Sequence, residues 1–152
     1  MSKLTITITI IASVISVLSP LFADKSQSDF PKVLESMVAI QNSLSGDSFK
    51  TVEHHAKILG KWVHEEKPSD IDHKIASKSL EQLSADDIKT VREGFKKFNL
   101  EFAKHLKKHP ISSKGYRMAY CPMAKAGWIQ KDNKIANPYF GKSMLRCGTF
   151  KK

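Results

Sequence analysis

The sequence predicts an all-α protein: an antiparallel four-helix bundle with an irregular C-terminal cap that carries both cysteines. Three observations carry that expectation. Between residues 29 and 109 apolar positions recur at i, i+3, i+4 and i+7 in four successive segments, the stripe of an amphipathic helix. The breaks between those segments are short and built from Gly, Pro, Ser and Asp, which favours antiparallel neighbours. After Pro110 the 3.6-residue period is lost, and the chain turns rich in Gly, Pro, Asn and aromatic residues.

The first 23 residues, MSKLTITITIIASVISVLSPLFA, have the layout of a secretory signal peptide. A lone basic residue, Lys3, precedes an apolar run from Leu4 to Leu18, then Pro20 and a small residue at Ala23, after which cleavage is expected. The run, about 15 residues, is short for a membrane span, which needs about 20. The mature chain from Asp24 to Lys152 has the length of one domain: a helical bundle over 24–110 and a loop-rich cap over 111–152 packed on it.

The four helices follow in order. The first carries Phe30, Val33, Leu34, Met37, Ile40, Gln41 and Leu44 on one face, with Asp29 as N-cap and Pro31 at its start. "LSGDS" breaks it at Gly46, and Asp47 or Ser48 is expected to cap the second, whose stripe is Phe49, Val52, Ala56, Leu59, Trp62 and Val63. Pro68 closes that helix, and Ser69 or Asp70 is expected to cap a shorter one with Ile71, Ile75, Ala76, Leu80 and Leu83. The fourth shows Ile88, Val91, Phe95, Phe98, Phe102 and Leu106 and ends at His109 and Pro110, with Ser84 and Asp87 as a weak capping box. Lys104, Lys107 and Lys108 crowd its end, as the helix dipole favours. The spacing of the three phenylalanines is core spacing. Nothing before Ile111 reads as strand.

The net charge of +10 is unevenly placed. Residues 107–152 hold eleven Lys and Arg against a single acid, Asp132, while residues 24–106 are nearly balanced. Export and the lack of an interleaved aromatic platform argue against nucleic acid as a partner. The basic end fits solubility first, then weak contact with an anionic membrane surface or an acidic protein.

Cys121 and Cys147 lie in "YCPMAKAGW" and "NPYFGKSMLRCG", with Met123 and Met144 close by in sequence and Met118 a few residues upstream. Two readings stand. In an oxidising compartment the cysteines can form one disulfide, which across 25 intervening residues would stabilise the fold by roughly 3 to 4 kcal/mol. Alternatively, two thiolates and two thioethers are a soft donor set of the kind that selects Cu(I). The paired methionines, in a segment poor in aliphatics, point to the second reading, but methionine also fills packing gaps, so spacing alone leaves both readings open.

The strings CPMA, W, NPYFG and M-x-x-CG, here Cys121 to Ala124, Trp128, Asn137 to Gly141 and Met144 to Gly148, resemble the signature of an exported domain-of-unknown-function family. That family occurs alone or fused to periplasmic adaptor subunits of heavy-metal (copper and silver) efflux systems. The resemblance extends upstream through "LSGD" to Arg92 and Phe95, which match an R-x-x-F on the family's last long helix. It implies an exported, periplasmic or secreted, metal-binding accessory protein with Cys121, Met123, Met144 and Cys147 as ligands of Cu(I) and a metal-efflux adaptor or other envelope protein as partner. It also implies that Trp128, Asn137, Pro138, Tyr139, Phe140 and Gly141 form the scaffold that closes the loop. The chain departs from many relatives in a shorter stretch between CPMA and the tryptophan, and in having Tyr120 where some have His.

His54, His55 and His64 fall on the second helix, His73 on the third, and His105 and His109 on the fourth. His105 and His109, at i and i+4, have chelating spacing, but beside Pro110 His109 reads first as a partner of the helix C-terminus. His55 reads as a satisfied core histidine. No serine sits in a nucleophile elbow and C-P-M is not a C-x-x-C motif, so the chain reads as a non-enzyme. The alternative to the copper reading is a disulfide-stapled helical interaction module of the cell envelope without metal.

Overall fold

The computed structural model describes residues 29–111 and 115–151. The signal peptide expected over residues 1–23 lies outside the described residues. Helix α1 (Phe30–Ser45) buries Phe30, Val33, Leu34, Met37, Ile40, Gln41 and Leu44, the face that its spacing predicts. Gly46 ends it, with its N–H turned back on the carbonyls of Asn42 and Ser43. Helix α2 (Val52–Glu65) buries Val52, Ala56, Leu59, Trp62 and Val63. Helix α3 (His73–Glu81) runs into a single 3₁₀ turn at Gln82–Ser84. Helix α4 (Ile88–Lys108) buries Val91, Phe95, Phe98, Phe102 and Leu106, and the phenylalanines form part of the continuous core.

The caps differ in detail from the expected ones. Asp72, not Ser69 or Asp70, caps α3 by accepting the Ile75 N–H at 2.9 Å, and Asp87, not Ser84, caps α4 by accepting the Thr90 N–H at 2.8 Å. Asp29 makes no side-chain cap bond and pairs with Lys32 instead, and α2 starts at Thr51 without a side-chain cap. The released carboxylates of Asp47 and Asp70 each take another partner.

The expected all-α class is incorrect for the C-terminal segment. Instead of an irregular cap, three antiparallel strands form a sheet in the order β2-β1-β3: β1 (Arg117–Cys121), β2 (Ala126–Gln130) and β3 (Thr149–Phe150). The strands are too short, five, five and two residues, to build a legible alternation. β2 is buried at Ala126, Trp128, Ile129 and Gln130 in succession, because it packs against α4 and α1. The signal was nevertheless present: two runs with aromatic residues, RMAYC and AGWIQ, flank the turn Pro122 to Lys125. Lys125 closes that turn with its N–H on the Pro122 carbonyl and a left-handed φ of 51°.

Among the described residues no helix is long and apolar enough to cross a membrane.

Candidate functional site

The sheet brings the two cysteines together. Cys121 is the last residue of central β1, and Pro122, which has no N–H to give to a ladder, ends the strand there. On the other side β3 pairs Tyr120 with Thr149 and Ala119 with Phe150, so the residues just before β3 run alongside the end of β1. Gly148 makes this approach possible: its φ is 136°, and a Cβ there would press on the Trp128 ring at 2.8 Å and the Tyr120 carbonyl at 3.0 Å.

The outcome is a Cys121 Sγ to Cys147 Sγ distance of 3.0 Å between two free thiols. Cys121 is buried and Cys147 is partly exposed, so the pair has one sheltered and one accessible sulfur. Burial pushes the Cys121 thiol up, but hydrogen bonds from Cys147, from the Ala124 and Met123 N–H groups and from Asn137 outweigh it and hold the group below its ordinary value. Cys147 is pushed up, chiefly because it donates to Cys121, then by desolvation and by the neighbouring negative charge. Of the two, Cys121 is thus the one that gives up its proton more readily, and Cys147 the one that keeps it.

Asn137 holds the segment that carries Cys147. Its Nδ2 donates to the Cys147 carbonyl at 2.7 Å and its backbone N–H to the Leu145 carbonyl at 2.8 Å. Its Oδ1 accepts the N–H groups of Tyr139 and Phe140, which pins the turn leading into the 3₁₀ segment Gly141–Met144. Tyr139 packs edge-on against Trp128, with ring centroids 5.7 Å apart, and donates its hydroxyl to the Gly127 carbonyl. Trp128 Nε1 donates to Gln130 Oε1, whose amide in turn donates to the Asp132 and Lys134 carbonyls. The buried side chains of Asn137, Trp128 and Gln130 therefore have partners, whereas Gln41 Oε1 has none among the described residues.

Among the polar ties between the bundle and this unit are those made by Gln41 and Arg92, beside the Lys142 N–H that Asp47 accepts at 3.3 Å. Gln41, fully buried in the apolar face of α1, donates to the Ala136 carbonyl at 2.7 Å. Arg92 donates through Nε to the Pro138 carbonyl at 3.0 Å and through Nη2 to the Leu44 carbonyl at 2.8 Å and Asp47 Oδ1 at 2.6 Å. A polar residue in an apolar stripe was the available sequence signal for Gln41. Asp47 gave no such signal beyond its place in a loop.

The methionines stand apart from this close contact. Met123 sits in the β1–β2 turn with 62% of its surface exposed. Met144 ends the 3₁₀ turn partly buried, and its carbonyl accepts the Cys147 N–H at 3.0 Å. The structure thus joins Cys121 to Cys147 directly and sets each methionine on a turn next to one of them. Thiolates and thioethers are soft donors, and to hold a soft ion the two sulfurs must give up their 3.0 Å hydrogen bond together with their protons and move apart.

A second cluster of donors lies on the helices. His105 Nδ1 and Asp70 Oδ1 are 2.8 Å apart, and the His105 and His109 rings stack with centroids 4.2 Å apart. Asp70 in the α2–α3 connection is what the spacing of the two histidines did not reveal. His55 is half-buried with Nδ1 3.3 Å from Ser36 Oγ, and burial, then the neighbouring His54, lowers its pKa. Comparison with protein-family models, with curated proteins and with solved structures finds no match for this chain.

Proposed function

We propose that the protein is an exported metal-binding accessory protein that takes Cu(I) as cargo on Cys121 and Cys147, linked to heavy-metal efflux or homeostasis. The observation that carries this reading is the 3.0 Å sulfur pair, held by Asn137 and the sheet, with one sulfur accessible from outside. Two sulfurs, one at the end of β1 and one in the segment just before β3, form a bidentate clip for a soft ion once deprotonated. Met123, exposed on the turn after Cys121, and Met144 are the thioethers that complete the donor set on loading. An exposed methionine suits transfer, because it can contact an incoming ion before the buried sulfur does. The resemblance of CPMA, NPYFG and M-x-x-CG to the exported family with copper and silver efflux adaptors supports the same reading, and names such an adaptor or another envelope protein as partner. The basic residues Lys142 and Arg146, in the segment that leads to Cys147, suit docking on an acidic partner or weakly on an anionic membrane surface. Nucleic acid is not proposed.

Binding is favoured over catalysis. Among the described residues the partners of the Cys121 sulfur are Cys147, Asn137 and two backbone N–H groups, with no imidazole positioned as a general base.

The test is uptake of Cu(I) by the reduced chain in competition with a chromogenic chelator. One equivalent bound, lost in Cys121→Ser and weakened in Met123→Leu, is the expected result. No uptake, or uptake unchanged in Cys121→Ser, overturns it.

The same contact favours a second reading, a disulfide-stapled interaction module. There Cys121 and Cys147 lose two protons and two electrons to a disulfide oxidant in the exported compartment and form an S–S bond. Thiol trapping and mass measurement of the exported protein separate the two. Recovery of both thiols free excludes the staple, and a mass two hydrogens lower in a chain that, once reduced by added thiol, takes up no Cu(I) excludes the metal clip.

A further inference from the structure

We infer that Asp70, His105 and His109 form a second metal site of a different class, one for a first-row divalent ion such as Zn²⁺. The three residues each offer one ligand atom, and these atoms all lie within 4.8 Å of one another. Their placement comes from two parts of the chain. His105 and His109 are one helical turn apart at the end of α4, so both point to the same side. Asp70 reaches them from the α2–α3 connection, freed from capping because Asp72 caps α3.

The surroundings set up the donors. The Asp70 side chain is 8% exposed, and its Oδ1 lies 2.8 Å from His105 Nδ1. His105 is walled by the rings of Phe30, Trp62 and Phe102, at centroid distances of 5.2, 5.1 and 6.1 Å. The 2.8 Å hydrogen bond holds the carboxylate and the imidazole facing each other, and an ion bound to both takes the place of the proton they share, which is released to water. Among the described residues Lys108 Nζ also lies near Asp70, 3.9 Å from Oδ2 and on a side chain 66% exposed, and an incoming ion displaces it at little cost. His109 is exposed and stacks on His105 at an interplanar angle of 24°. Its accessible side chain supplies the third ligand, closing by a side-chain rotation, and leaves the outer positions of the ion to water.

Two imidazoles and one carboxylate are borderline-to-hard donors, matched to Zn²⁺ and Cu²⁺ rather than to a soft monovalent ion. The chain therefore presents a soft sulfur site on its sheet and a nitrogen and oxygen site on its helices. An ion held there links the end of α4 to the α2–α3 connection and acts as a clamp on the bundle. This site does not depend on the copper reading.

The experiment uses the full chain with Cys121→Ser and Cys147→Ser, so that no thiolate competes, titrated with Zn²⁺ alone against a chromogenic chelator. One equivalent of Zn²⁺ is expected, with a rise in Tm that is absent after chelation. His109→Ala, exposed and safe for folding, is expected to weaken binding at least tenfold and abolish the Tm rise; Asp70→Asn is expected to do the same in part. No Zn²⁺ uptake by the cysteine-free chain, or uptake equal in His109→Ala, overturns the assignment.

Discussion

Arg92 on α4 donates to Asp47 in the α1–α2 loop at 2.6 Å, and the same guanidinium holds Pro138 of the sheet-bearing segment. One side chain thus fastens three parts of the chain that are far apart in sequence. The Arg92 side chain is 17% exposed, and hydrogen bonds from a charged donor are worth about 1.5 to 3 kcal/mol each. Arg92→Met leaves the Leu44 and Pro138 carbonyls without that donor, so a loss of about 2 to 4 kcal/mol in urea unfolding is expected. The hydrogen bond from Arg92, together with the Lys142 N–H and the local positive charge, also outweighs desolvation and holds the Asp47 carboxyl below its usual range. A folded pKa below the unfolded value of about 3.9 contributes stability above that pH and loses it as pH falls through the folded value. The native chain is therefore expected to lose more stability on acidification below about pH 4 than Arg92→Met does. Equal acid dependence in the two chains would rule out this coupling.

Three glycines separate by what surrounds them. Gly60, in the middle of α2, has nothing within 4 Å of a built Cβ, so Gly60→Ala is expected to stabilise by about 0.5 to 1 kcal/mol. In Gly94 a Cβ would meet Gln82 Cβ and the Ser79 carbonyl, both at 2.7 Å, where α4 crosses the end of α3. Gly94→Ala is expected to cost about 1 to 3 kcal/mol. Gly141 has a φ of 57° and would drive a Cβ into the Asp47 carboxylate and the Arg92 guanidinium. Its alanine variant is expected to lose about 2 kcal/mol or more, from left-handed backbone and steric clash together. Thermal melts of the three variants that failed to fall in this order would contradict the packing described.

Tyr139 titrates in the opposite sense to Asp47. Burial, then the negative charge of Cys121, pushes its phenol well above the ordinary value of about 10. The neutral form is the one the fold favours, so its contribution is complete below about pH 10 and is lost as pH rises through the folded value. Tyr139→Phe is expected to unfold at higher alkaline pH than the native chain, while costing about 1 kcal/mol at neutral pH through the unmet Gly127 carbonyl. Alkaline melts followed by circular dichroism read both effects.

The helices were legible because each buries one face over several turns, and a 3.6-residue period repeats enough to be read in Phe95, Phe98 and Phe102. The sheet was not, because its strands are short and β2 is covered by helices, which buries Trp128, Ile129 and Gln130 one after another and leaves no exposed alternate face to read. Cys121 and Cys147 stood out by residue type, but their contact depends on strand pairing and on Gly148, which spacing does not encode. Asp70 was lost to a neighbour: Asp72 offers the same capping chemistry two residues later, and only the fold decides which carboxylate caps α3 and which turns to His105.

The thiols should differ in both reactivity and dependence on each other. Cys147 is partly exposed and Cys121 buried, so an alkylating reagent added to the folded, reduced chain is expected to modify Cys147 first despite the lower pKa of Cys121. Cys147→Ala removes the hydrogen bond that favours the Cys121 thiolate, and the Cys121 pKa is expected to rise, because burial then meets less opposition. Thiolate absorbance against pH in that variant measures the shift directly; an unchanged or lower value would mean that the backbone N–H groups of Met123 and Ala124, with Asn137, already suffice. Oxidising the native pair closes a loop of 25 intervening residues, for which chain entropy gives about 3.5 kcal/mol of stabilisation. An unfolding midpoint in urea that rises on oxidation and returns on reduction is the expected result. A midpoint that fell instead would show that the 3.0 Å pair cannot shorten to a covalent bond without straining the Asn137 turn, leaving the dithiol as the form the fold is built around.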